Sequence, residues 1–85
     1  MLIQAYYIDV NKKSNNNRTL LHIAAQKGCT EACELLLDND ADVNAKDNDG
    51  RTPLDVALTD EIKQLLRDHG AKHGSELEQR NPENN

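Results

Sequence analysis

The chain repeats itself at a distance of 33 residues, and no other feature restricts its fold as much. "DVN" at 9–11 returns as "DVN" at 42–44, and "RT" at 18–19 returns at 51–52. Between these anchors "NNNRTLLHIAA" (15–25) lies over "NDGRTPLDVAL" (48–58), pairing Leu21 with Leu54 and Ala24 with Ala57. Farther on, "TEACELLLDNDA" (30–41) lies over "DEIKQLLRDHGA" (60–71) at an offset of 30, so the second copy lacks three residues between its two halves. Near-copies of this length do not surround one central core. Each packs on its neighbour in a linear array, which needs about three units for stability.

Each copy reads as two short helices followed by an extended turn. Thr52 is a natural N-cap, Pro53 suits the first helical position because no donor is needed there, and Asp55 completes a capping box. Thr19 to His22 is a weaker form of the same start. Leu21, Ala24 and Ala25 make the narrow apolar side of a first helix that Gly28 ends. Thr30 is then expected to cap a second helix carrying Ala32, Leu35 and Leu36. Asp49-Gly50 is a turn signal, and its counterpart Asn16-Asn17 places Asn where a left-handed conformation is needed. In a chain of 85 residues with only 2% aromatic content, cohesion has to come from such regular aliphatic packing.

"RTPLDVA" and "RTLLHIAAQKGCTEACELLLDNDADVNA" resemble the ankyrin repeat. The likeness covers about residues 8 to 73 and implies an all-α fold, a short solenoid of helix-turn-helix units joined by β-turn fingers. It divides the chain into the remnant of a preceding repeat (1–14), a full repeat (15–46), a shortened C-terminal capping repeat (47–74) and a disordered polar tail (75–85). Where the first repeat has Cys33 and Leu37, the second has Lys63 and Arg67, a polar outer face of the kind a terminal repeat requires. At the other end Leu2 and Ile3 align with Leu35 and Leu36. That edge is open unless Leu2, Ile3, Tyr6, Tyr7 and Ile8 fold over it, a partner covers it, or the chain is part of a longer array. Its state is therefore expected to be a monomer or a weak self-associate through the uncapped N-terminal face.

Other chemistries fit poorly. Asp38, Asp40, Asp42 and Asp49 fall at positions 1, 3, 5 and 12 of a calcium loop, but Val43 stands where that loop needs Gly and Asp49 where it needs the longer Glu. Cys29-x3-Cys33 and His69-x3-His73 are too far apart in sequence for a compact zinc finger. Two cysteines four apart on a helix cannot bridge without strain and read as free thiols. His22 stands at the family's motif histidine, for which the resemblance implies a structural hydrogen bond between units. No triad and no phosphate loop is present. No catalytic residue, cofactor or metal is expected, and the chain is read as a non-enzyme. With a net charge of −5, neither nucleic acid nor an anionic membrane is an expected partner. The absence of a membrane span or secretion signal reads as an intracellular, cytoplasmic chain.

What remains is binding of another protein. The resemblance places partner contacts at the finger tips and the concave helix face: Lys13, Asn15, Asn16 and Arg18 in the first repeat, Gln26 and Lys27 near the end of its first helix, and Lys46, Asn48, Asp49 and Arg51 in the second. The alternative is a structural C-terminal end of a longer ankyrin array whose activity lies elsewhere.

Overall fold

A computed structural model describes residues 9–78. The described residues form five helices and no strand: α1 (Leu20–Lys27), α2 (Thr30–Asp38), α3 (Pro53–Val56), α4 (Asp60–Asp68) and α5 (Gly74–Glu78). Helix α1 packs against α2 and α3, and α4 against α3 and α2, so α1 and α3 make one layer and α2 and α4 the other. The expectations for Leu2, Ile3, Tyr6, Tyr7 and Ile8, and for 79–85, lie outside the described residues.

Both first helices begin as their sequences dictate. The Thr19 hydroxyl accepts from the His22 N–H and the Thr52 hydroxyl from the Asp55 N–H, while the side chains of His22 and Asp55 reach back to the capping threonine's own N–H. These are two reciprocal capping boxes at matching positions. Helix α1 ends at Gly28, whose φ of 78° is left-handed. A second constraint acts at the same glycine, because a Cβ there would lie 2.8 Å from Leu58 Cδ2.

Leu58 arrives at that place because of the three missing residues. Helix α3 has only four residues against eight in α1. Its C-cap, Ala57, is extended, and the next N–H, of Leu58, donates to the Ala25 carbonyl at the end of α1 (2.9 Å). The shortened repeat thus attaches its connecting segment to the neighbouring helix. Thr59 then starts α4 by accepting from the Ile62 N–H.

The core is a single aliphatic cluster of Leu21, Ala24, Ala25, Cys33, Leu37, Leu54, Ile62 and Leu66. Burying a Leu or Ile side chain is worth about 1.5–3 kcal/mol, so this small set, aided by half-buried Ala32, Leu36, Val43 and Val56, holds the layers together. Two expectations for α2 are corrected. Its N-cap is Cys29 rather than Thr30, and Cys29 makes no side-chain cap bond. Of the expected Ala32, Leu35 and Leu36, the first and last pack half-buried on the core, but Leu35 is 63% exposed and the buried residues are Cys33 and Leu37, because two residues along a helix is a rotation of about 200°. On α4 the buried pair is Ile62 and Leu66, with Arg67 exposed and Lys63 half-buried.

The stretch 38–50 takes the shape of a helix end and a turn. Asp40 is left-handed (φ 68°), the Ala41 N–H bonds to the Leu36 carbonyl, and the matching Ala71 N–H bonds to that of Leu66. The tail also needs correction, since residues 75–78, expected to be disordered, belong to α5. That helix begins where the Gly74 N–H donates to Asp55 Oδ2 (2.8 Å) and the His73 N–H to Glu76 Oε1 (2.8 Å). Gly74 is buried directly on the turn of the second repeat, where a Cβ would lie 1.8 Å from the Gly50 carbonyl oxygen.

Candidate functional site

Two turns project from the helical layers, one before α1 and one before α3. Each is closed by the same pair of bonds: Ser14 N–H to the Arg18 carbonyl and Asn17 N–H to that of Ser14, then Asp47 N–H to Arg51 and Gly50 N–H to Asp47. Asn17 (φ 61°) and Gly50 (φ 77°) occupy the left-handed corner.

The turns are tied to each other. The Asn48 N–H donates to the Asn16 carbonyl (2.9 Å), Asn17 Nδ2 to Asn48 Oδ1 (2.7 Å), and Lys13 Nζ to the Lys46 carbonyl (3.0 Å). A second tie recurs with the repeat. Asn11 gives its amide N–H to the Asp40 carbonyl and accepts the Asp42 N–H, and Asn44 does the same with Gly70 and Lys72. This is the structural content of the recurring "DVN". Each Asn side chain substitutes for a strand partner and satisfies one donor and one acceptor of the next turn.

Beneath the turns lie two buried polar residues, His22 and Asp47, and a third framework carboxylate, Asp55, which is more exposed. His22 Nδ1 accepts the Thr19 N–H (3.1 Å), so its proton is on Nε2, which donates to the Arg51 carbonyl (2.8 Å). Burial pulls its pKa below the usual histidine value, against the bond to Arg51 and the charge of Asp47, which favour protonation. Asp47 Oδ1 accepts the N–H groups of Asp49 and Arg51 (both 2.9 Å), and Oδ2 lies 3.5 Å from Arg18 Nε. Burial alone would raise this carboxyl, but those two N–H donors, with His22 and Arg18, hold it below the usual carboxylate range. Asp55 is depressed in the same way, its burial outweighed by the N–H groups of Thr52 and Gly74 and by His73, whose Nδ1 is 2.5 Å from Oδ1. These groups hold backbone in place, and His22 is the inter-repeat tie that its motif position implied.

The residues expected to bind a partner therefore divide. Asn15, Lys27, Asp49 and the Arg51 side chain are exposed at the turn tips and along α1. Lys13, Asn16, Lys46 and Asn48 lie there too, but take part in the ties between turns. Arg18 is half-buried, bonded through Nη1 to Gln26 Oε1 (2.7 Å) and facing Asp47. That bond shows that α1, not α2, borders the turns. The same face carries an open groove of about 440 Å³ between the first turn and α1, and it includes Lys12, Leu20 and Ile23, which sequence reasoning did not select. Their signal was apolar residues at i and i+3 lying off the Leu21–Ala24–Ala25 stripe.

Cys33 is buried and its thiol is pushed up to about 11, chiefly by desolvation; Cys29 is exposed. Among the described residues no three His, Cys, Asp or Glu side chains come together as a metal site, and no helix is long and apolar enough to cross a membrane.

Stacked helix pairs, paired turns and an asparagine tie recurring with the repeat define a helical repeat protein. The chain belongs to the ankyrin-repeat family, whose three-copy model it matches over residues 1–76. It is 46% identical over 70 residues to serine/threonine-protein kinase 12 of Arabidopsis thaliana (78% of this chain, 15% of the kinase). Similarity extends to ankyrin repeat and SOCS box protein 5 of Bos taurus, 47% over 58 residues (67% of this chain, 18% of the relative). Protein phosphatase 1 regulatory subunit 12A of Rattus norvegicus is 36% identical over 85 residues (96% of this chain, 8% of the relative). The chain spans less than a fifth of the length of each of these three relatives. Ankyrin repeats generally mediate protein–protein interaction.

Proposed function

We propose that this chain binds another protein along its turn tips and the adjoining face of α1, without catalysis of its own. The observation that carries this reading is the bond from the Asn48 N–H to the Asn16 carbonyl. It joins the two turns into one prepared surface while Asn15, Lys27, Asp49 and Arg51 stay exposed, so a partner does not have to order the loops on binding. The kinase and phosphatase-subunit relatives, each matched over a small part of its length, support a recruiting role within larger proteins. A net charge of −5 favours proteins over nucleic acid or anionic membrane. The test is charge reversal at Lys27, Asp49 and Arg51. Partner affinity should fall about tenfold or more with the melting temperature unchanged; equal binding by the triple variant refutes the assignment.

A second reading, that residues 47–74 close an array as its terminal cap, is favoured by α4, which leaves Arg67 exposed and Lys63 half-buried where α2 buries Leu37 and Cys33. Under that reading the variant Lys63→Leu/Arg67→Leu should self-associate. A variant that stays monomeric argues against a capping role.

A further inference from the structure

The groove between the first turn and α1 combines an aliphatic floor with an excess of positive charge, an unusual pairing in a chain of net charge −5. Its floor is Leu20, 47% exposed, and half-buried Ile23, one turn apart on α1. Lys12, Lys13, Arg18 and Asp9 stand at its edge. Arg18 is already engaged, facing buried Asp47, while the Asp9 carboxylate accepts the Asn11 N–H (3.0 Å) and keeps its charge at one end of the edge. Lys13 bonds only a neutral carbonyl, that of Lys46, and Lys12 has no ion-pair partner among the described residues. The groove therefore presents two ammonium groups outside any ion pair, against the single Asp9 carboxylate, above an aliphatic strip.

We infer that this groove takes an acidic peptide segment of a partner protein, seating a branched aliphatic side chain on Leu20 and Ile23 and carboxylates beside Lys12 and Lys13. The inference rests on the interaction reading above and adds the partner's chemistry. An isolated carboxylate would gain little from two exposed lysines, and an uncharged apolar residue would gain nothing from them. A segment carrying both satisfies floor and edge together. Two lysines are too few to hold a polyanion on an acidic protein, and a concave slot does not match a flat lipid surface.

The test is fluorescence anisotropy of the whole chain with a short fluorescein-labelled peptide bearing a Leu-Leu pair flanked by Glu. Two comparison peptides carry Ser-Ser in place of the pair, or Lys in place of Glu. The first peptide should bind saturably and more weakly as salt is raised, and the other two at least about tenfold more weakly. Lys12→Glu should weaken binding about fivefold and Leu20→Ser about tenfold, with melting temperatures unchanged and Leu35→Ser without effect. Equal binding of all three peptides, insensitivity to Lys12→Glu and Leu20→Ser, preference for an oligonucleotide or phosphatidylserine vesicles, or a groove closed by a second copy in sedimentation would each overturn the inference. If the peptide fails while a protein partner still responds to reversal at Asp49 and Arg51, the groove assignment falls and the interaction reading stands. If the peptide binds while that partner ignores both reversals, the reverse holds.

Discussion

His22 Nε2 lies 2.8 Å from the main-chain oxygen of Arg51, 29 residues farther along the chain, and this bond fastens one turn to the helix of the preceding unit. The ring is fully buried, so the carbonyl has no access to bulk water through that side. His22→Leu leaves the Arg51 carbonyl and the Thr19 N–H without their partner and should cost about 1–3 kcal/mol. Urea denaturation measures it. A midpoint equal to that of the unaltered chain would remove His22 from the framework.

The same residue sets an acid limb in the stability profile. In the unfolded chain His22 takes up a proton near 6.5, whereas burial lowers its pKa in the folded chain. The unfolded state then holds more protons between the two values, so stability present above pH 6.5 is lost as pH falls through that window. Asp47 and Asp55, both depressed, add losses in the same direction only below about 3.8. Melts from neutral to mildly acidic pH should fall in the unaltered chain and fall less in His22→Gln. Parallel profiles for the two would contradict the assignment.

Arg18 and Arg51 occupy matching positions in the repeat but should respond differently to reversal. The Arg18 guanidinium faces Asp47, whose side chain is only 2% exposed, whereas the Arg51 side chain is exposed. Arg18→Glu sets a carboxylate against a buried one and should cost about 1–3 kcal/mol. Arg51→Glu should stay within about 0.5 kcal/mol. Thermal melts of both variants decide the matter, and equal losses would mean that Asp47 does not depend on Arg18. A binding experiment that reverses Arg18 therefore mixes loss of fold with loss of surface.

Gly74→Ala should displace α5 from the second turn, because the added Cβ overlaps the Gly50 carbonyl oxygen. A backbone shift large enough to relieve it costs about 1–3 kcal/mol. Hydrogen exchange at residues 74–78 should accelerate while exchange in α1 and α2 is unchanged. Unaltered protection at 74–78 would show that α5 is not held by this packing.

The features legible in the sequence were local ones. The capping boxes at Thr19 and Thr52, the helix stop at Gly28 and the left-handed corner at Asn17 each depend on neighbours within a few residues, so the letters sufficed. On α2, Leu35 was misplaced because Leu35, Leu36 and Leu37 are consecutive, and periodicity alone does not say which of them is most deeply buried. Leu37 is, together with Cys33. The course of 57–61 became definite only with the bond from the Leu58 N–H to the Ala25 carbonyl, a pairing across 33 residues. Likewise "DVN" announced a repeat, but not that Asn11 and Asn44 clamp the following turn. The groove was half visible: Lys13 and Arg18 were expected on the binding face, whereas Leu20 was not, since an apolar residue after a cap reads as core until its exposure is known.

Partner binding is proposed on the turn side of the stack. Site-specific photo-crosslinking from Asp49 at a turn tip, and separately from Leu35 on the exposed side of α2, tests it most directly in cells expressing the whole protein. A protein adduct from Asp49 that excess unlabelled chain suppresses is expected, and none from Leu35. Suppressible adducts from Leu35 alone, or equally from both positions, would contradict it.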